Sequence, residues 1–253
     1  MLRFPADNKE ALAPLCEILR HDGVVAVPTE TVYGLVCLWN SHKGRERIYE
    51  LKARPAQKRL QMLAPSVSAA IAAGLQDDPR LERLANAFWP GALTVVAKAT
   101  GEYDSIGLRI PAHPFVLALL EALGEPLAAT SANLSGQPAG LTAEEAIKGL
   151  TAFPDALVDG GSVRETGGTA STVVSLLGDT PTILREGPIS LAQIEAITNP
   201  QRYVPQEDSL RKPRNGSARS AQPCVTAGKS PKGVQPAVVM HHKNLRPQGR
   251  NKK

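Results

Sequence analysis

The chain has few cysteines, few aromatics and no long apolar run, and each shortage removes a class of protein. Cys16, Cys37 and Cys224 are the only cysteines in 253 residues. Odd in number and widely spaced, they make neither a disulfide framework nor a CxxC zinc pattern. Such thiols stay reduced, which makes a cytoplasmic protein the expectation. Aromatic residues are 4% of the chain, too few for an obvious base-stacking platform. Runs such as Val24–Val27 and Leu93–Ala97 fall far short of the roughly 20 apolar residues that span a bilayer. The N-terminal MLRFPADNKEALAPL has acids and prolines where a secretory leader has an apolar centre, so export is not expected. No Ser/His/Asp triad, P-loop or dinucleotide fingerprint is visible. Of the five histidines only His241 and His242 adjoin, and two imidazoles do not make a metal site.

What is present is an ordinary globular mix, 42% hydrophobic and 21% charged, with an uneven charge. Residues 206–253 hold 11 Lys/Arg against Glu207 and Asp208, a net +9, whereas residues 1–205 hold 18 Lys/Arg and 22 acids, a net −4. The overall +5 therefore belongs to the tail, and a charge-based argument for nucleic-acid binding rests on the tail alone. Beyond about Val204 apolar periodicity stops and Pro, Gly, Ser, Lys and Arg dominate. The expected organisation is a domain over 1–204 and a basic, disordered tail over 205–253.

Within the domain, helical and strand periods alternate. Helices are expected over Asn8–His21, ended by Gly23, and over Lys43–Leu51, Ser66–Leu75, Pro79–Phe88, His113–Leu123, Thr142–Leu150 and Ser190–Ile197. Thr142 and Glu145 have the spacing of a capping box. Strands are expected over Val24–Pro28, Leu93–Lys98, Gly107–Ile110, Pro126–Thr130 and Leu157–Asp159, with a hairpin of Thr172–Leu177 and Thr182–Arg185. Crossovers mixed with hairpins imply an α/β fold of the α+β type, a mixed open sheet covered by helices.

Four polar clusters fall at the ends of these strands, where open sheets build their sites. Pro28–Leu35 reads either as a cap for a following helix or as hydroxyls and a carboxylate for a small polar ligand. Lys52–Ala53–Arg54–Pro55 is either solvated basic surface or a pair of cations converging on an anion, with Lys58 and Arg59 adding charge. Thr130–Gly136 is a simple turn or a place where a phosphate approaches backbone N–H groups. Gly167–Thr172, with Arg185 in the next strand, reads equally as a turn or a binding loop.

Taken together, PTETVYGL, KARP, FWPGALT, LRIP, TSANLSG and STVV…ILREG resemble the YrdC-like family, the threonylcarbamoyl-AMP synthases, in order and spacing from about Asn8 to Ile197. The family's lysine-x-arginine and serine-x-asparagine signature falls on Lys52, Arg54, Ser131 and Asn133. The resemblance implies a twisted mixed sheet with a concave, positively charged cavity. It also implies a nucleotidyltransferase that converts L-threonine, bicarbonate and ATP into threonylcarbamoyl-AMP and pyrophosphate, with Mg2+ on the ATP. A partner transferase complex would then modify adenosine 37 of tRNA. On that pattern the catalytic residues are Lys52, Arg54, Ser131 and Asn133. ATP would meet Lys52, Arg54, Lys58, Ser105, Ser131, Asn133, Ala139 and Arg185. Threonine would meet Thr31, Arg109, Ala129 and Ser171.

The match has departures. Many relatives follow the KARP segment with proline-leucine and an apolar strand, some with a histidine. Here the chain reads Lys58–Arg59–Leu60–Gln61–Met62–Leu63, with Leu63 at the histidine's place. The second Rossmann-like domain of long relatives is not expected in the 48 residues of the tail. The alternative reading is an RNA-binding or ribosome-maturation module using the concave surface and the tail. The tail itself is either a contact for tRNA or the partner transferase, or a solubilising extension.

Overall fold

The computed structural model describes residues 1–199 apart from 56 and 165–167. The expected boundary at 204 and the tail lie outside the described residues. The strands are β1 (Leu2–Pro5), β2 (Val25–Val27), β3 (Gly34–Leu38), β4 (Gln61–Leu63), β5 (Leu93–Lys98), β6 (Ser105–Arg109), β7 (Leu127–Ser131), β8 (Ala156–Asp159), β9 (Thr172–Ser175) and β10 (Thr182–Arg185). The helices are α1 (Leu12–Arg20), α2 (His42–Leu51), α3 (Val67–Ala72), α4 (Pro79–Phe88), α5 (Pro114–Leu123), α6 (Ala143–Lys148) and α7 (Leu191–Thr198). Among the described residues the strands form one mixed open sheet, ordered β1-β8-β2-β3-β7-β4-β6-β5-β9-β10. Parallel pairs (β1·β8, β2·β8, β4·β6, β5·β9) interleave with antiparallel ones. The expected fold class is present.

Side chains alternate across a strand, and here the alternation separates two cores. Val24, Ala26, Leu35, Cys37, Met62 and Ala128 face a core with residues of α2, α3, α4, α6 and α7. Their neighbours Val25, Val27, Val36, Leu63 and Leu127 face the opposite side, against α1 and α5. Each fully buried Leu there, such as Leu15, Leu19 and Leu119, contributes about 1.5–3 kcal/mol. The α1/α5 cluster contains no residue of β6, β5, β9 or β10. That face therefore continues past β4 as the floor of a cavity.

Several helix ends differ from expectation. Lys9–Ala11 is a 3-10 turn before α1, capped by Asn8. After α1, Asp22 takes the left-handed conformation (φ 61°), and Gly23 N–H donates to Ile18 O at 2.9 Å. Gly23 is required by close approach, since a Cβ there would stand 2.5 Å from Ile18 O. Half of the Thr142–Glu145 capping box forms: Thr142 Oγ1 accepts from Glu145 N–H at 3.2 Å, while the Glu145 carboxylate accepts from Leu141 N–H. The complete capping box is Ser190–Gln193, ahead of α7. Three strands went unexpected: β1, β3 and β4. The turn after Pro28 leads into β3, not into a helix.

Candidate active site

The cavity has a volume of about 390 Å3. Its floor is the uncovered face of the sheet. On β6 the residues alternate, Ser105, Gly107 and Arg109 toward the cavity and Ile106 and Leu108 into the core. Thr94 and Val96 of β5, Gln61 of β4, Ala129 and Ser131 of β7, Val173 of β9 and Arg185 of β10 complete it. Thr31, Arg54, Arg59, Asn133, Ala139 and Ser171 close the rim from loops.

Two loops of the rim are bolted together by Lys52. It ends α2, followed by Ala53 in the left-handed conformation (φ 45°). Ala53 N–H donates to Glu50 O and Arg54 N–H to Tyr49 O, a Schellman ending. The Lys52 side chain is 1% exposed. Its Nζ donates to Ser131 O, to Asn133 O at 2.6 Å and to Asn133 Oδ1 at 3.3 Å. Its own carbonyl accepts from Ser135 N–H. Ser131 Oγ donates to Asn133 Oδ1, and Asn133 Nδ2 donates to Gln137 O. Ser131 and Asn133 thus line the cavity on a loop held from behind by a buried ammonium. Burial, then the nearby Arg54, lowers that ammonium to about 8.

The cavity is cationic although residues 1–205 are net acidic. Arg54, Arg59, Arg109 and Arg185 line it with no carboxylate among the lining residues. Of the four only Arg109 is ion-paired among the described residues, to Glu30 Oε1 at 2.5 Å. Arg109 is buried, and its Nε donates to Gly91 O. Glu30 sits in a turn built by Thr29, whose Oγ1 donates to Val32 O and accepts from Thr31 and Val32 N–H. Glu30 Oε2 and His113 Nδ1 are the buried side-chain polar atoms without partners among the described residues. Burial lowers the His113 imidazole, and the charge of Glu30 opposes it.

Arg185 Nε and Nη2 both donate to Ser171 O, and Nη2 also to Ser171 Oγ. Burial, then the charge of Arg109, lowers Arg185, and both guanidiniums line the cavity. Burial likewise lowers Arg54, whose Nε and Nη2 donate to Lys58 O and Arg59 O. Each remains charged at neutral pH. Like charges gathered in a half-closed cavity favour an anionic ligand.

Of the expected residues, Arg54, Ser105, Ser131, Asn133, Ala139, Arg185, Thr31, Arg109, Ala129 and Ser171 line this one cavity, and Lys52 and Lys58 do not. Lys58 is exposed and contributes its carbonyl to Arg54. Leu63 is a core residue 2% exposed, packed on the α1/α5 side. Gly167 lies outside the described residues. The sequence reading missed Gln61, Thr94 and Gly107 and took Arg59 only as added charge. Period-2 alternation through Ser105–Arg109 was the signal for Gly107.

Sheet, cavity and arginines together define a mixed α/β protein with an anion-receptive cleft on the open face of its sheet. Comparison narrows this. The Sua5/YciO/YrdC family model, described as "Telomere recombination", matches residues 17–187, and the chain belongs to that family. It is 37% identical over 202 residues to the threonylcarbamoyl-AMP synthase of Bacillus subtilis, covering 76% of this chain and 58% of the relative. It is 35% identical over 195 residues to the Pyrococcus abyssi synthase, covering 74% and 57%. The chain thus spans under three fifths of the length of these curated relatives. Among solved structures, P. abyssi Sua5 complexed with L-threonine matches with a TM-score of 0.71 at 32% identity, covering 78% of this chain and 60% of that one. Escherichia coli YciO matches with a TM-score of 0.67 at 28% identity, covering 76% and 97%.

Proposed function

We propose that this chain is an L-threonylcarbamoyladenylate synthase, using L-threonine, bicarbonate and ATP. The observation that carries the reading is the convergence of ten expected residues on one cavity with four arginines and no lining carboxylate. The relatives named threonylcarbamoyl-AMP synthase support it.

The chemistry asks for positioning more than for a nucleophile. Threonine, arriving as an ammonium, loses protons and its nitrogen bonds to the carbon of bicarbonate, giving a carbamate, water and one proton released to solvent. A carbamate oxygen then attacks the α-phosphorus of ATP and pyrophosphate leaves. Arg109, with Thr31, Ala129 and Ser171, takes the threonine, its guanidinium facing the carboxylate. Arg54, Ser105, Ser131, Asn133, Ala139 and Arg185 take the ATP, and the arginines offset the phosphate charge. Lys52 acts through the loop it holds, and Lys58 stands at the edge of the ATP side. Among the described residues no group of three His, Cys, Asp or Glu could hold a metal. Magnesium enters on the triphosphate in this reading, as part of the substrate.

The product would pass to a transferase complex acting on tRNA adenosine 37, in the cytoplasm, with the basic tail as a contact for tRNA. No helix among the described residues is long and apolar enough to cross a membrane. The test is pyrophosphate release from ATP by the purified chain. We expect release only with both L-threonine and bicarbonate, and loss of it in a Lys52→Ala/Arg54→Ala variant. Folded protein that binds neither ATP nor threonine overturns the reading and moves the RNA-binding alternative forward.

A further inference from the structure

One polar side chain on the cavity floor is accounted for by none of the roles above. Gln61 opens β4, paired with Ala129 of β7. On its other side lies Gly107, where an added Cβ would stand 3.9 Å from Gln61 Cβ. Gln61 thus lies between a residue of the threonine side and the strand that carries Arg109.

A hydrogen-bond chain fixes its orientation. Arg185 Nη2 donates to Ser171 Oγ at 3.0 Å. Ser171 Oγ lies 2.9 Å from Thr94 Oγ1, and Thr94 Oγ1 lies 3.2 Å from Gln61 Oε1. Ser171 and Thr94 are 2% and 3% exposed. A guanidinium can only donate. Ser171 therefore accepts from Arg185 and donates its O–H to Thr94 Oγ1, and Thr94 donates its O–H to Gln61 Oε1. In the reverse sense the buried Ser171 O–H would have no acceptor among the described residues, which is costly. The amide carbonyl is thus turned to Thr94. The amide NH2, with no hydrogen bond to any described residue, is left for the cavity.

We propose that Gln61 is a substrate-binding residue, its amide N–H groups donating to a carboxyl-type oxygen, either of the amino acid's carboxylate or of the carbamate formed on its amine. Arg185, Ser171 and Thr94 hold the amide in that orientation, and Thr94 is a positioning residue. The inference rests on the reading of the cavity as an amino-acid and ATP site. It adds a recognition group that the expected residues lack.

The test is the side-chain 15N–1H amide signal of Gln61 in the full chain, identified by its loss in Gln61→Met. A shift with L-threonine alone supports contact with the amino acid's own carboxylate. A shift only with threonine and bicarbonate together supports contact with the carbamate. No shift under either condition, while the Thr31 and Ser171 backbone amides move, overturns the inference and leaves the site reading standing. If none of these signals moves, both fall. Kinetics give a second arm. Thr94→Val should raise KM for threonine or bicarbonate about tenfold with KM for ATP unchanged, and Thr94→Ser should restore it. Equal changes in all three KM values, or no rescue by serine, would reduce Thr94 to a packing role and remove the support for the oriented amide.

Discussion

Replacing Glu30 by Ala removes the only carboxylate that, among the described residues, pairs with the buried Arg109 guanidinium. The pair is 2.5 Å long, with side chains 18% and 4% exposed. Among the described residues the other partner of Arg109 is the Gly91 carbonyl, at 3.1 Å. Breaking a buried pair from one side leaves an uncompensated charge and costs about 3–5 kcal/mol. Glu30 retains some solvent, so the lower figure, about 3 kcal/mol, is expected. At about 2–4 °C per kcal/mol for a domain of this size, melting should fall by about 6–12 °C. Arg109→Met should cost a similar amount, since it strands Glu30, whose Oε2 already lacks a partner among the described residues. The double variant should be less unstable than the sum of the singles by at least about 2 kcal/mol. Glu30→Gln keeps an acceptor for Nη2 and should fall between wild type and Ala. The assay is urea and thermal unfolding of the four variants and the wild type at one pH. Costs that add within about 0.5 kcal/mol, or a Glu30→Ala cost below about 1 kcal/mol, would refute the view that this carboxylate holds Arg109 in place.

Three further outcomes are expected. Gly107→Ala puts a methyl on the cavity floor at ordinary contact distances, 3.4 Å from Thr94 Cγ2 and 3.7 Å from Val96 Cγ2. Stability should therefore hold, while KM for the ligand seated there rises about tenfold, read by unfolding beside kinetics. The lowered Lys52 ammonium means that the unfolded chain binds more protons than the folded one between about pH 8 and the usual 10.5. Its contribution to stability therefore rises with pH across that window, by of order 3 kcal/mol, and urea midpoints in Lys52→Met should lack that component. Ala53→Gly relieves an alanine at φ 45° and should stabilise by about 0.5–1 kcal/mol at unchanged m.

Legibility in the sequence followed how strongly local chemistry marked each element. The expected bounds of α4 match those observed, because Asp78 caps it, Pro79 starts it and Pro90 follows its end. The bounds of β5 also match, since its run from Leu93 is apolar and bounded by Gly91. Strand β1 is an edge strand whose residues are mostly exposed, so it carries no burial pattern. Strand β3 follows directly on the polar Thr29–Thr31 turn, and β4 is three residues long behind a run of cations. The cavity-lining residues of the four clusters were legible because hydroxyls and cations sit at strand ends. Lys52 was legible as a residue but not as to where it points. Burial of its stem turned the ammonium onto two carbonyls of a loop some 80 residues away.

The Leu63 departure shows why register matters more than residue type. A one-residue step along a strand exchanges the two faces of the sheet. Leu63 pairs with Arg109 and Gln61 with Ala129, so both lie on the helix-and-cavity face. Along that face the cover changes between them. Leu63 belongs with Phe115 and Val116 of α5, where a leucine is well accommodated and an imidazole would need a partner. Gln61 stands in the open part, beside Thr94 and Gly107. The polar group of this short strand is therefore Gln61, on the cavity floor and not beneath the helix. There the chain of donors from Arg185 orients it. A Gln61→Leu/Leu63→His double variant separates the two arrangements. If α5 covers position 63 as tightly as the packing indicates, the double variant should lose stability by about 1–3 kcal/mol for the buried imidazole and should not recover the affinity lost by Gln61→Leu. Full recovery of affinity at wild-type stability would mean that position 63 opens onto the cavity, against the burial of Leu63.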